Sequence, residues 1–254
     1  MDLSTTYLGF SLPHPFMPGA SPLVDDLDMV RRLEDSGAAA IVMHSLFEEQ
    51  LVGEQLAHAA HTGAPAESFP EALSYFARPP DFALGPDEYL EQLRRIKAAV
   101  AVPVIASLNG CDAGGWLAHA RALEQAGADA LELNVYELAS DPAESAAVVE
   151  DRLLAIVRTV RAAVRIPVAV KLSPSYTALA HLADRLDGVG VDGLVLFNRF
   201  YQPDIDIERL EVGRTLALSD SSELLLRVTW LDRLAVIPGL PGIADRSPAT
   251  SVPA

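Results

Sequence analysis

Three stretches of the chain repeat one template: 33–45 (LEDSGAAAIVMHS), 123–135 (LEQAGADALELNV) and 186–198 (LDGVGVDGLVLFN). Each reads as a helix end, a glycine, a few small residues and then an apolar run. Gly37, Gly127 and Gly190 fall just past the helix, where a left-handed backbone is needed and glycine adopts it without penalty. The runs after them are predicted to be buried strands. A second template occurs at 100–110 (VAVPVIASLNG) and 164–174 (VRIPVAVKLSP). There a helix ends just before a proline, and a short apolar strand begins at it, where the missing N–H leaves no gap in a ladder. With an apolar stretch at 15–18, six strands are predicted, near 15–18, 39–45, 103–108, 129–134, 167–172 and 192–198.

Amphipathic stretches at 26–36, 86–100, 115–126, 142–164 and 176–186 are predicted helices between them. Asp25, Gly85-Pro86 and Asp141-Pro142 offer starts, because a short polar side chain or a first-turn proline satisfies or removes an orphan donor. Strands alternating with helices mean a parallel sheet with covered faces, either a (β/α)8 barrel or an open doubly wound sheet. The barrel is favoured for two reasons. No GxGxxG loop follows the first strand; Gly110-Cys111-Asp112-Ala113-Gly114-Gly115 has the wrong spacing and follows the third. Polar residues gather after successive strands, at Ala20-Ser21, His44-Ser45, Ser107 and Asn109, Asn134, Lys171 and Ser173, and Asn198-Arg199, which in a barrel converge on one mouth.

The balance of charge excludes some partners. With 35 acidic against 19 basic residues and a net charge of −16, the chain lacks the clustered cations that a nucleic acid or an anionic bilayer requires. The uncharged stretch 98–111 is shorter than a membrane span. The start, Met1-Asp2-Leu3-Ser4, does not read as a signal peptide, and the single cysteine, Cys111, fits a reducing, cytoplasmic setting and a packing role.

Lys171 sits within an apolar strand, and burying an ammonium is costly unless an anion or intermediate needs it. Its alternatives are snorkelling to solvent or a carboxylate partner. Asn134 and Asn198 end the fourth and sixth strands in equivalent repeat positions, and an amide, with two donors and an acceptor, suits the edge of a planar heterocycle; each is also an ordinary turn residue. His44, His58, His61, His119 and His181 show no ligand spacing beyond His58/His61, so solvated histidines and no metal are expected. Ser45, Ser107 and Ser173 have no GxSxG elbow and no histidine partner in sequence.

The ordered set Pro15-Phe16-Met17, Ala20-Ser21, Ser107-Leu108-Asn109-Gly110, Glu132-Leu133-Asn134, Val170-Lys171-Leu172 and Phe197-Asn198-Arg199 resembles the dihydroorotate dehydrogenase family of FMN barrels, most closely a dihydroorotate dehydrogenase-like branch, over roughly residues 1–230. The resemblance implies that Ala20, Ser21, Asn109, Asn134 and Lys171 contact FMN, with Lys171 at the pyrimidine edge of the flavin as a catalytic charge. It implies that Asn134 and Asn198 hold the substrate, and that dihydroorotate is oxidised to orotate in pyrimidine biosynthesis. A small-molecule substrate and a homodimer or electron-acceptor partner protein follow.

The departures are equally specific. The family's cysteine or serine base corresponds to Glu137, the lysine after the second strand is His44, and the asparagine-bearing substrate loop reads Leu73-Ser74-Tyr75-Phe76-Ala77-Arg78. Glycine-rich phosphate turns expected late in the family have no match at Gly213, Gly239 or Gly242. The intervals from Gly127 to Gly190 and from Pro103 to Pro167 each span two strand-helix units, and the chain that follows Asn198 is shorter than either. The expectation is therefore an incomplete barrel domain over 1–237 with about six strands, a disordered proline-rich tail over 238–254, and a C-terminally truncated or frame-disrupted family member. Two alternatives stay open: a non-catalytic incomplete barrel without cofactor, and a Schiff-base lyase using Lys171.

Overall fold

In the computed structural model, which describes residues 2–47, 86–109, 113–135, 139, 141–198, 204–208, 211–213 and 221–235, the three template glycines have φ of 93° (Gly37), 98° (Gly127) and 83° (Gly190). Each closes its helix with the same pair of bonds. Gly37 and Ala38 N–H donate to the Glu34 and Leu33 carbonyls, Gly127 and Ala128 to Glu124 and Leu123, and Gly190 and Val191 to Asp187 and Leu186. This doubly bonded, left-handed stop satisfies carbonyls that a helix end otherwise leaves bare.

The elements in chain order are β1 (Thr5–Tyr7), β2 (Phe10–Leu12), α1 (Leu27–Asp35), β3 (Ile41–Phe47), α2 (Pro86–Ala99), β4 (Val104–Asn109), α3 (Ala113–Gln125), β5 (Ala130–Asn134), α4 (Ala146–Ala163), β6 (Val168–Leu172), α5 (Leu179–Gly188), β7 (Gly193–Leu196), β8 (Asp204–Asp206), β9 (Glu211–Gly213) and α6 (Leu224–Ala235). Five strands form one sheet in the order β3-β4-β5-β6-β7. Strands β3 and β4 pair parallel, as do β6 and β7. Neighbours in the sheet are thus neighbours in sequence, with no reversal of order. That is the winding of a (β/α) barrel, because a doubly wound sheet reverses at a switch point.

The stretch 15–18 is not a strand. Pro15 and Pro18 have no N–H to offer a ladder, and the Phe16 carbonyl accepts from Ala39 N–H at 3.0 Å. The chain instead begins with the antiparallel β1–β2 hairpin, its register running from Thr5↔Leu12 to Tyr7↔Phe10. Leu8 (φ 50°) and Gly9 (φ 80°) make its two-residue turn, the positive-φ geometry that matches strand twist. After Asn198 the described residues form the antiparallel β8–β9 pair and α6. The stretch 238–254 lies outside the described residues.

The chain divides into two compact units, one of residues 16–131 and 163–166, the other of residues 1–15, 132–162 and 167–254. In the β3–β4 unit, Ile41, Met43, Val104, Ile105 and Leu108 are buried with Tyr89, Leu93, Ile96, Trp116 and Leu123 from the helices. In the β6–β7 unit, Leu133, Val168, Val170 and Leu194 are buried with Leu153, Leu154, Val157, Leu182 and Leu186. Burying each such large side chain contributes about 1.5–3 kcal/mol.

Carboxylates tie the entry of each strand to the next. Glu34 Oε1 accepts from Ala101 and Val102 N–H, ahead of β4. Asp129 Oδ2 accepts from Val104 N–H and from Lys97 Nζ. Glu124 Oε1 accepts from Arg165 and Ile166 N–H, ahead of β6. Asp192 Oδ2 accepts from Val168 N–H and lies 3.6 Å from Arg161 Nε. These bonds recover backbone donors at the points where Pro103 and Pro167 start the strands.

Candidate active site

Every residue of β6 is buried except Lys171, which is partly so. Its side chain, 19% exposed, places Nζ 3.4 Å from Oε1 of Glu132 on β5, whose own side chain is 7% exposed. Of the three readings open to this lysine, the structure thus gives the carboxylate partner. Removing one member of such a pair strands the other charge away from water, at a cost of about 3–5 kcal/mol. Glu132 and Asn134 are two apart on β5 and share a face. Asn134 Oδ1 accepts from Asn198 Nδ2, both side chains being buried, while Asn198 N–H donates to the Leu172 carbonyl at 2.7 Å.

Tyr7 adds to this cluster from β1. It is 5% exposed, and burial, followed by the Glu132 charge, pushes its phenol well above the usual tyrosine range. The group therefore stays a neutral O–H beside a carboxylate that has to remain desolvated. Lys171, Glu132, Asn134, Asn198 and Tyr7 all belong to the β6–β7 unit. Together they supply one cation, one anion and two linked amides, a donor and acceptor set suited to a polar heterocycle.

The other sequence-predicted residues lie in the β3–β4 unit. Ser21 has an extended backbone (φ −158°, ψ 161°), precedes the 3-10 turn Pro22–Val24 and makes no capping bond with its side chain. Ala20 is half-buried beside it, and Asn109 ends β4 half-buried. Glu137, Cys111, His58, His61, Arg199, Gly239, Gly242 and the stretch 73–78 are outside the described residues. The two asparagines are not at the same repeat position. Asn134 is the seventh position after Gly127 and Asn198 the eighth after Gly190, so Asn198 stands two positions beyond the end of β7.

Three features have no counterpart in the sequence reading. Glu132 is one; an acid alternating with buried residues in an apolar strand is its signal. Ser45 and Ser107 form a buried hydroxyl pair at 2.8 Å. His44 is not a solvated histidine: its side chain is 20% exposed and Nδ1 lies 2.8 Å from Asp25 Oδ1. No local pattern announces Asp25, far upstream, as its partner. Among the described residues no cluster of three His, Cys, Asp or Glu could hold a metal ion, and no helix is long and apolar enough to cross a membrane.

The chain is 29% identical over 215 residues to the catalytic subunit of dihydroorotate dehydrogenase B (NAD(+)) from Thermoplasma acidophilum, covering 81% of this chain and 65% of that protein. It is 30% identical over 216 residues to the subunit of the same name from Methanocella arvoryzae, covering 82% and 65%. The chain is dihydroorotate dehydrogenase-like. A further relative is the NAD-dependent dihydropyrimidine dehydrogenase subunit PreA of Escherichia coli K12, 26% identical over 207 residues, covering 78% of this chain and 48% of that one. No family model matches. This dihydroorotate dehydrogenase-like chain spans between about half and two thirds of the length of these relatives.

Proposed function

We propose that the chain is a flavin-dependent oxidoreductase that oxidises the CH–CH bond of a dihydropyrimidine, dihydroorotate being the first candidate. The observation that carries this reading is the Lys171–Glu132 pair beside the linked amides of Asn134 and Asn198. In a (β/α) barrel, side chains at the C-terminal ends of the strands do the chemistry. The names of the three relatives, all subunits of dihydroorotate or dihydropyrimidine dehydrogenases, support the substrate class.

FMN suits the donor set. Its pyrimidine edge presents carbonyls and ring nitrogens that a cation and amides can meet, and it would supply a two-electron acceptor. Lys171 and Asn134 are the residues to hold that edge. Lys171 places fixed positive charge where negative charge develops, and this stabilisation is stronger in a site that excludes water. Asn134 and Asn198 orient the substrate amides. Glu132 holds the Lys171 ammonium in place, and Tyr7, a neutral hydroxyl, shields Glu132 from solvent. Glu137 is the sequence-based candidate for the base. The catalytic-subunit names of the relatives support a partner protein that takes the electrons onward, in the cytoplasm.

A Schiff-base role for Lys171 is disfavoured, because an amine nucleophile is activated in an uncharged pocket or beside a second cation and Lys171 has a carboxylate. The deciding experiment is the visible absorbance of the purified chain before and after incubation with FMN. Bound flavin, bleached by dihydroorotate under anaerobic conditions, is expected; a colourless chain that takes up no FMN refutes the reading.

A further inference from the structure

We propose that Glu132 is a specificity-determining residue: with Oε1 committed to Lys171, its Oε2 accepts an N–H from the ligand while Lys171 Nζ donates to the neighbouring carbonyl. The pair thus reads a ring CO–NH edge, a feature that the flavin and a dihydropyrimidine share. This rests on the function proposed above, and every residue it uses belongs to the β6–β7 unit.

Strands β5 and β6 are neighbours in the sheet, and each carries one charged residue, Glu132 in ALELN and Lys171 in VAVKL. They meet through Lys171 Nζ and Glu132 Oε1, 3.4 Å apart. An ammonium has three N–H groups and a carboxylate two oxygens. Among the described residues, two donors of Lys171 and the Oε2 of Glu132 therefore have no partner. Unused capacity of this kind is uncommon inside a protein, and the Glu132 side chain is 7% exposed. Tyr7, close enough for the Glu132 charge to raise its phenol, adds a hydroxyl that bonds to no described residue. Other ion pairs of the chain are completed by further contacts. Asp129 Oδ2 takes Val104 N–H as well as Lys97 Nζ, and Arg185 is shared by Glu150 and Asp151. The Lys171–Glu132 pair lacks such a completion and is open to a ligand.

The charges decide what fits. A lone cation attracts anions, but here the carboxylate repels a second negative group that approaches beside the ammonium. What the pair offers instead is a donor and an acceptor side by side, both charged and therefore both strong. A ring amide presents the complement, a carbonyl next to an N–H. A ligand without the N–H leaves Oε2 desolvated and unpaired, and that penalty discriminates more sharply than a missing apolar contact. Dihydroorotate and the same ring without its carboxylate share this edge, so the pair selects for the ring and not for the carboxylate.

The test measures binding to the full chain in two arms. One compares FMN with FMN methylated at N3, followed by flavin fluorescence. The other compares orotate with orotate methylated at each ring nitrogen, on the FMN-loaded chain, followed by the change in flavin absorbance. In unmutated protein one methylation is expected to weaken binding at least about tenfold, that of FMN if the edge is the flavin's and that of orotate if it is the substrate's. Equal binding of every methylated form overturns the proposal whatever any variant does. Glu132→Gln keeps the size of the side chain and an oxygen for Lys171, but turns its second position from acceptor into donor. It is expected to weaken the unmethylated ligand and to bring methylated and unmethylated forms level. Glu132→Asp keeps the charge, withdraws the oxygens by one carbon and is expected to lose the discrimination too. A methylation penalty that survives in both variants is steric and overturns the proposal. A chain that takes up neither form of FMN refutes the function and this inference with it; FMN bound, with no methylation penalty in either arm, refutes this inference alone.

Discussion

The stretch from β4 to β5 and the stretch from β6 to β7 are two copies of one plan that agree at one end of their strands and differ at the other. At the strand entries the copies match in their carboxylate–backbone bonds. Asp129 and Asp192 each accept the first N–H of the preceding strand, a cation from the preceding helix, Lys97 or Arg161, stands against each carboxylate, and Glu34 and Glu124 each take two N–H groups of the incoming loop. At the strand ends the correspondence stops. The third residue after Val104 is Ser107, fully buried and bonded to Ser45; the third after Val168 is Lys171, paired with Glu132. Repetition is kept where the backbone needs donors and acceptors matched, and abandoned at the strand ends, the division of labour expected of a (β/α) architecture.

The largest expected effect sharpens that contrast. Lys171→Ser copies the residue of the other half, and should cut flavin reduction by about 10²–10³-fold; Ser107→Ala should leave it within a few-fold and cost about 1 kcal/mol of stability. Flavin absorbance, stopped-flow reduction and urea unfolding measure the two. Equal catalytic loss in both would break the comparison.

Next in size are the entry carboxylates. Asp129→Ala and Asp192→Ala should each cost about 1.5–3 kcal/mol, the range for a charged acceptor of a backbone N–H, seen as a lower denaturation midpoint with catalysis per folded molecule unchanged. A large cost at one site and none at the other would show that the copies are alike only in outline. Gly127→Ala and Gly190→Ala come third. No atom lies within 4 Å of an added Cβ at either position, so the cost is purely that of the left-handed backbone, about 1–2 kcal/mol, and should be the same in both.

The smallest effect concerns Tyr7. Its phenol is raised in the folded state by burial and Glu132, so the unfolded chain releases this proton first. Its contribution is intact below the ordinary tyrosine range, near pH 10, and is lost as pH rises beyond it. Tyr7→Phe should flatten that alkaline loss in a stability–pH curve; an unchanged slope would remove Tyr7 from the cluster.

How much of this was legible beforehand depends on the range of the interaction. The glycine stops, the proline entries and the five sheet strands are written in a few adjacent residues each, and Gly37, Gly127 and Gly190 have the backbone their spacing requires. The β1–β2 hairpin was not legible, because its strands are three residues long and Leu8-Gly9 is not an Asn-Gly turn. Asn198 stands one place beyond the position that the glycine spacing assigns to it, and its side chain is held by Asn134 from another strand. The pairing of Asp25 with His44, and the bonds of Glu34 to residues 101 and 102, join positions whose separation no local pattern encodes.

The run of Glu34, Asp129, Glu124 and Asp192 along the strand entries also bears on how such a chain can be cut and rejoined. Each of these acids lies on one strand-helix unit and is used by the backbone of another, so a single unit carried elsewhere leaves a carboxylate without its donors and an amide without its acceptor. The smallest segment that keeps its own ties is a pair of units. Grafts, swaps or deletions that move two units together, as from Pro103 to Pro167, would therefore keep the carboxylate–backbone bonds intact, whereas moving one unit alone would break them.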